Sequence, residues 1–334
     1  MRLTRRIFNA RFLLTVRTKG DFLDGMTPKK MLTTRRQFLK TSALAAVVLP
    51  PGAHPEPTAP APARKRPIKK GLMWGAVSGN MPVLDKFKLI QQAGFEGVEV
   101  DSGMNRDEVL KGRDATGLII ASVVDSVHWQ KTLGDANPEV RQAGLEGLKT
   151  ALHDCKAYGA TSVLLVPAVV NKQTAYDHAY VRSMAEVRKV TGLAEELGVK
   201  IAIENVWNQF LLSPLEAARY VDEFQSPALA WHFDVGNIIN TGWPEQWVHI
   251  LGKRIHKLHI KEFSRKKRDQ EGLWKGFEVE YLEGDNDWPA VMKALDDVGY
   301  NGWGTAEPAY WPEGVDLPTR LGQVSRKLDE IFAL

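Results

Sequence analysis

The sequence predicts a single α/β domain of the (β/α)8 TIM barrel type, and three observations carry that expectation. From Lys69 onward, short apolar runs alternate with longer amphipathic stretches, eight times over about 270 residues, close to the usual length of such a barrel. Gly94, Gly117, Gly159, Gly198 and Gly299 each stand after a helical pattern and shortly before the next apolar run, where a left-handed closing residue is wanted. No Gly-x-Gly-x-x-Gly follows the first run, so the phosphate-cradling turn of a dinucleotide-binding sheet is missing.

Taken in order, the strand candidates are Gly71 to Val77, Gly97 to Asp101, Leu118 to Val124, Ser162 to Pro167, Lys200 to Glu204, Leu229 to Asp234, Ile255 to Lys261 and Gly302 to Glu307. The clearest helical patterns between them are Pro82 to Ala93, Pro138 to Tyr158, Tyr180 to Leu197, Pro214 to Phe224 and Trp288 to Val298. Several open on Pro or Asp and close on Gly, the expected start and stop signals. Strand, helix, Gly, strand is the repeat of a βα unit.

The chain has 334 residues, 44% of them apolar, enough for a large core. Its formal charge of +4 is unevenly placed. Residues 1–63 carry 11 Lys and Arg against 3 Asp and Glu, whereas residues 64–334 carry 33 against 37. The barrel at 64–334 is therefore mildly acidic, which argues against a broad basic surface for nucleic acid.

Residues 1–63 read as a disordered N-terminus, an export signal and a linker. Thr34-Arg35-Arg36-Gln37-Phe38-Leu39-Lys40 resembles the twin-arginine consensus and runs into the apolar stretch Thr41 to Leu49. A bilayer-spanning helix needs about 20 residues, so a removable leader is expected and a stable membrane anchor is not. Pro and Ala dominate from Pro50 to Ala63, a composition suited to an extended linker near a cleavage point. The expected location is periplasmic, or otherwise exported by the twin-arginine route. The single Cys155 has no intramolecular partner and falls at helical spacing with Leu145, Leu148 and Leu152, so packing is its expected role.

In a parallel barrel the active site lies at the C-terminal ends of the strands. Four consecutive strand candidates end in metal-ligand chemistry: Ile-Ala-Ile-Glu204-Asn, Trp-His-Phe-Asp234-Val-Gly-Asn, His-Lys-Leu-His259-Ile-Lys-Glu and Gly-Thr-Ala-Glu307-Pro. The intervals are 30, 25 and 48 residues, two single βα units and one unit with an insertion. Any one of these carboxylates alone is as well explained by an ion pair; four in the same relative position argue for a shared task. One His with three carboxylates suits one divalent ion, Mn²⁺, Co²⁺, Mg²⁺ or Zn²⁺, and argues against a thiolate site.

On these residues the chain resembles the xylose isomerase-like TIM barrel family of sugar isomerases and epimerases, which includes D-tagatose 3-epimerase and, more distantly, endonuclease IV. The resemblance covers roughly Lys69 to Leu334. It implies that Glu204, Asp234, His259 and Glu307 hold the metal, and that Arg265, six residues after His259, contacts substrate. Two positions depart from the pattern. Asn237 stands where many members have a His three residues after the Asp, and Phe210 where the epimerases have a Glu six residues after the first ligand. Asn can hold a sugar hydroxyl but cannot transfer a proton near neutral pH, so Asn237 is expected to bind substrate.

The chemistry this resemblance implies is proton abstraction beside a metal-polarised carbonyl, giving an enediolate. Glu204 and Glu307 would then divide the proton transfers, for epimerisation or isomerisation. Glu99, which ends the second strand candidate, and His128, which follows the third, are further expected substrate contacts. Trp74, Trp207 and Trp311 lie near strand ends, where an indole can stack on a sugar or simply pack. The long connection Glu262 to Asp287 suits a lid. Export favours an unphosphorylated keto-sugar as the partner. Other readings stay open: a lyase or hydrolase on 3-keto-glycosides with the same site, a multi-zinc phosphodiesterase like endonuclease IV, which needs more His, and a non-catalytic sugar-binding barrel. Nothing in the sequence excludes a homo-oligomer.

Overall fold

The computed structural model describes residues 66–334; the expected leader and linker lie outside them. Eight parallel strands close a barrel in chain order. They are β1 (Lys69–Met73), β2 (Gly97–Asp101), β3 (Ile119–Val124), β4 (Ser162–Leu165), β5 (Lys200–Glu204), β6 (Leu229–Asp234), β7 (Ile255–Ile260) and β8 (Trp303–Ala306). The outer layer consists of α1 (Val83–Gln92), α2 (Arg106–Thr116), α3 (Pro138–Tyr158), α4 (Tyr176–Leu197), α5 (Pro214–Asp222), α6 (Gly236–Ile239), α7 (Pro244–Leu251), α8 (Arg265–Glu271), α9 (Trp288–Asp297) and α10 (Leu317–Ala333). The single (β/α)8 barrel expected from the sequence is the fold observed.

Local chemistry explains the boundaries. Every residue of β4 and β6 is buried, because a parallel strand here faces helices on one side and the barrel interior on the other. The first strand is shorter than its apolar run: after Met73 the chain turns into a 3-10 helix, Trp74–Ala76. The fourth helix begins at Tyr176, four residues before its apolar period is visible, because Asn171 Oδ1 accepts from the amides of Gln173 and Thr174 and ends the preceding loop. All five closing glycines have positive φ. At Gly159, φ is 75° while its amide reaches back to the end of α3, a conformation that costs a Cβ-bearing residue steric strain.

The apolar stripe Leu145, Leu148, Leu152 and Cys155 of α3 is buried in the main core, as the spacing predicts. Truncating one such Leu to Ala costs about 2–5 kcal/mol. The β7 to β8 connection holds α8, a 3-10 helix Leu273–Phe277 and α9. Glu262 pins it: its carboxylate accepts from the amide of Leu282 at 2.9 Å and from Trp288 Nε1 at 2.8 Å. No helix among the described residues is long and apolar enough to cross a membrane.

Candidate metal centre and active site

Glu204 and Asp234 are the last residues of β5 and β6, His259 lies one residue before the end of β7, and Glu307 follows β8 directly. The barrel register pairs Asp234 with His259, and Glu204 with His232. Strand residues two apart share a face, so all four side chains project into one end of the barrel. One donor atom from each lies within 4.8 Å of the others. His259 Nδ1 is 2.8 Å from Glu204 Oε1 and 3.1 Å from Glu307 Oε2.

The same parity adds a residue that the spacing argument passed over. Lys261, two beyond His259, places Nζ 2.9 Å from Asp234 Oδ2 and 2.8 Å from Glu307 Oε2. Asp234 Oδ2 is nevertheless buried without a well-directed hydrogen bond. Three ionisable oxygen ligands and one imidazole, their donor atoms gathered within 4.8 Å, fit a divalent cation of the oxygen and nitrogen class. These four side chains would hold such an ion.

Asn205 sets the rim on which they stand. Its Nδ2 donates to the Asp234 carbonyl at 2.7 Å, and its Oδ1 accepts from the Asp234 amide and Trp231 Nε1, each at 3.0 Å. Asp234 Oδ1 accepts from the Asn237 amide at 2.8 Å, and Asn237 Nδ2 donates to the Asn205 carbonyl at 3.0 Å. Asn237 therefore braces the ligand strands as well as lining the cavity.

Beneath this layer lies a second one. Glu99 is fully buried, not at the mouth as a substrate contact would be, and its Oε1 is 2.7 Å from His259 Nε2. Ser122, its register partner on β3, donates to Glu99 Oε2. His232 is fully buried with both ring nitrogens unpartnered and its ring 4.2 Å from that of His259. Burial alone would raise the Glu99 carboxyl, but His259 and His232 outweigh it and hold it at about 2. A carboxylate behind a ligating imidazole fixes the tautomer that offers the other nitrogen to a metal. His259 Nδ1 then faces the carboxylates while Nε2–H faces Glu99.

Above the ligands opens a cavity of about 540 Å³, lined among others by Glu204, Asn237, His259, Lys261 and Glu307. His128 lines it too, buried, with Nδ1 accepting from the Val166 amide at 3.3 Å; burial pushes its pKa down to about 4. Trp207 is on the wall, its Nε1 donating to the Asn237 carbonyl at 2.9 Å. The connection expected to act as a lid is structured and brings Trp274, Phe277 and Glu278 to the cavity. Trp74 packs in the core against Phe87, and Trp311 lies beside Arg320 outside the cavity lining. Arg265 is likewise not in the lining: its guanidinium donates to the carbonyls of Ile239 at 2.9 Å and Gly242 at 3.0 Å.

Residues 87–326 match the xylose isomerase-like TIM barrel family. The chain belongs to that family. An inosose dehydratase of Clostridium perfringens is 25% identical over 256 residues, covering 67% of this chain and 84% of its own. An L-ribulose-5-phosphate 3-epimerase of Salmonella typhi is 23% identical over 266 residues, 75% of this chain and 89% of its own. Among solved structures, a 3-keto-D-glucoside 4-epimerase of E. coli is similar with a TM-score of 0.66 at 19% identity, across 79% of this chain and 98% of its own. A D-psicose 3-epimerase of Clostridium cellulolyticum H10 has a TM-score of 0.65 at 17% identity, across 79% and 98%. At these identities the structures establish the shared fold.

Within the family, this chain's departures have visible structural roles. Phe210 is buried among Tyr176, Tyr180 and Tyr220. Its neighbours Gln209 and Leu211 have φ of 59° and 54°, and the loop is held by Asn208 Oδ1 and the Tyr176 hydroxyl, which accept from the amides of Phe210 and Leu211. An aromatic anchor thus occupies the position where the resemblance led a carboxylate to be expected.

Proposed function

We propose that this chain is a divalent-metal-dependent sugar isomerase or epimerase that exchanges the proton beside the carbonyl of an unphosphorylated keto-sugar. The observation that carries this reading is the convergence of Glu204, Asp234, His259 and Glu307 at one end of the barrel, with Lys261 beside them. A divalent ion held there would polarise the carbonyl and acidify the adjacent C–H.

The two glutamates sit in environments that drive them apart. Burial pushes Glu204 up to about 7. Burial would raise Glu307 as well, but the Lys261 charge and the His259 hydrogen bond outweigh it and keep Glu307 well below the usual carboxylate range. Glu204 and Glu307 then divide the proton transfers, one taking the α-proton and the other returning one. Delivery to the opposite face of the same carbon epimerises, and delivery to the neighbouring carbon isomerises. Lys261 Nζ stabilises the charge that grows on the former carbonyl oxygen, and Asn237 and His128 orient the hydroxyls.

Metal-loaded protein in D₂O should place deuterium on the α-carbon of its ketose. Absence of exchange across a broad panel of ketoses and keto-glycosides would remove this reading. A second reading is elimination or hydrolysis on a 3-keto-glycoside, in which the Lys261 ammonium, 2.8 Å from Glu307, would stabilise the charge on a departing oxygen. Release of an aglycone with no recovery of an epimer would select it. The candidate clusters hold two histidines, His259 and the adjoining His232, few for a multi-zinc phosphodiesterase. From the twin-arginine resemblance of the N-terminal segment we propose export to the periplasm, to be read from the location of a full-length fusion.

A further inference from the structure

We propose that the mouth of the cavity is a subsite for a second ring, so that the keto-sugar on the charged floor arrives as a glycoside whose aglycone stacks on indoles. This rests on the keto-sugar reading of the floor. The cavity of about 540 Å³ falls in the range where pockets bury a drug-sized molecule, and a lone hexose is much smaller. Its charges are also unevenly placed. Glu204, His259, Lys261 and Glu307 gather at the floor, while Trp129, Trp207, Trp274 and Phe277 supply the aromatic lining.

In a closed eight-stranded barrel β3 and β7 stand opposite one another. Trp129 follows β3 and Trp274 lies in the β7 to β8 connection, so the two indoles rise from opposite sides. Trp274 is 66% exposed and Trp129 46%. Indoles left in water at a cavity mouth forgo burial that would otherwise stabilise the fold, which marks a binding surface.

Trp274 is also held in place. The Trp207 ring lies 5.0 Å from it and the Phe277 ring 4.8 Å from Trp207. The Ser264 amide donates to the Gly276 carbonyl at 2.7 Å, and Gly276 packs so closely on Phe263 that a Cβ there would come within 2.4 Å of the ring. The platform is therefore preorganised. An indole recognises a flat apolar ring face, which both an aryl group and the face of a second pyranose present. The charge on this wall is balanced, with Glu278 paired to Lys275 at 2.7 Å, so the wall favours a flat ring over a phosphate.

The test uses full-length, metal-loaded protein with Trp274→Ala and Trp129→Ala, and thermal unfolding as the check of fold. Deuterium exchange is followed on a free 3-keto-hexose, on its phenyl glycoside, which keeps the C3 carbonyl, and on a 3-keto-disaccharide. The expected result is a roughly 2- to 10-fold fall in kcat/KM on a glycoside, with the free keto-hexose unchanged; the arm with the larger fall tells aryl from pyranose. An equal fall on the free keto-hexose, or no fall on either glycoside, overturns the subsite. If no ketose exchanges at all, the enzymatic reading fails separately, and the subsite is judged by tryptophan fluorescence with phenyl β-D-glucoside and cellobiose, neither of them a ketone. Saturable quenching that Trp274→Ala weakens then supports the subsite, and its absence with both probes overturns it.

Discussion

Strands β5 to β8 and the connections after them bring Glu204, Asn237, His259, Lys261 and Glu307 to the cavity, whereas β1 to β4 bring Met73, Val124, His128, Trp129 and Leu164. The first half supplies the charged cluster together with Trp207, Trp274 and Phe277, and the second, His128 apart, supplies only shape. Glu99 of β2 crosses this division, but from below, reaching His259 through the barrel interior. The difference teaches that bond-making groups are collected on adjacent strands, where barrel register holds them together, while the facing half shapes the cavity wall. Each half should therefore respond differently to substitution.

The largest effect belongs to the charged half. Glu204→Gln and Glu307→Gln should each lower α-proton exchange by about 10²- to 10⁴-fold, while Met73→Leu in the facing half should change it by less than about 3-fold, in line with a volume-conserving swap. Solvent deuterium exchange on the preferred ketose checks both. Comparable losses on the two sides would erase the distinction between chemistry and shape.

The facing half should reveal itself through stability and pH. Burial lowers His128 from 6.5 to about 4, so between these values the unfolded chain binds a proton that the folded one refuses. The stabilisation is complete above about 6.5 and is lost as pH falls through about 4, amounting to about 3 kcal/mol. His128→Asn keeps an acceptor for the Val166 amide and removes the titration, so it should flatten the acid side of a urea-midpoint profile. Asp125, three residues earlier, runs the other way. Burial raises it from 3.8 to about 6, so its stabilisation is complete below about 3.8 and is lost as pH rises through about 6. Asp125→Asn should flatten that rise. Profiles unchanged by both substitutions would refute buried titration on this connection.

How much of this was legible beforehand follows from what each signal encodes. The eight βα units and the convergence of the four candidate ligands were readable because strand ends recur at fixed places in a regular repeat. Lys261 and His232 were readable in principle, each two residues from a ligand and so on the same face. The roles of Glu99 and Arg265 were not. Whether a strand-end carboxylate faces the mouth or the interior depends on barrel stagger, and whether an Arg after a strand reaches the cavity or neighbouring carbonyls depends on the path of its loop. Both are tertiary facts. Trp274 escaped notice for the same reason, since it lies fifteen residues after His259 in the chain yet beside Trp207 in space.

The crossing residue Glu99 gives the next effect. Glu99→Gln should weaken divalent-metal affinity by roughly 10- to 100-fold, because Gln loses the negative charge that favours an Nε2–H on His259. Calorimetric titration of the apo protein measures this without turnover, and metal stoichiometry near one per chain should persist. Unaltered affinity would show that Glu99 is only a buried filler of the barrel.

The smallest effect is expected at Arg265. The resemblance implies a substrate contact, but its guanidinium is taken up by the carbonyls of Ile239 and Gly242 and lies over Trp243 at 5.8 Å. Those bonds tie the start of α8 to the segment after α6, so Arg265→Ala should cost about 1 kcal/mol of stability and leave KM for the ketose within about 2-fold. Arg265→Lys would keep the charge yet lose the planar fork that serves two carbonyls at once, and should resemble Ala in stability. If instead KM rises by 10-fold or more with stability unchanged, the side chain must leave its carbonyls to meet the substrate. The charged half of the mouth would then extend beyond the strand ends into the β7 to β8 connection.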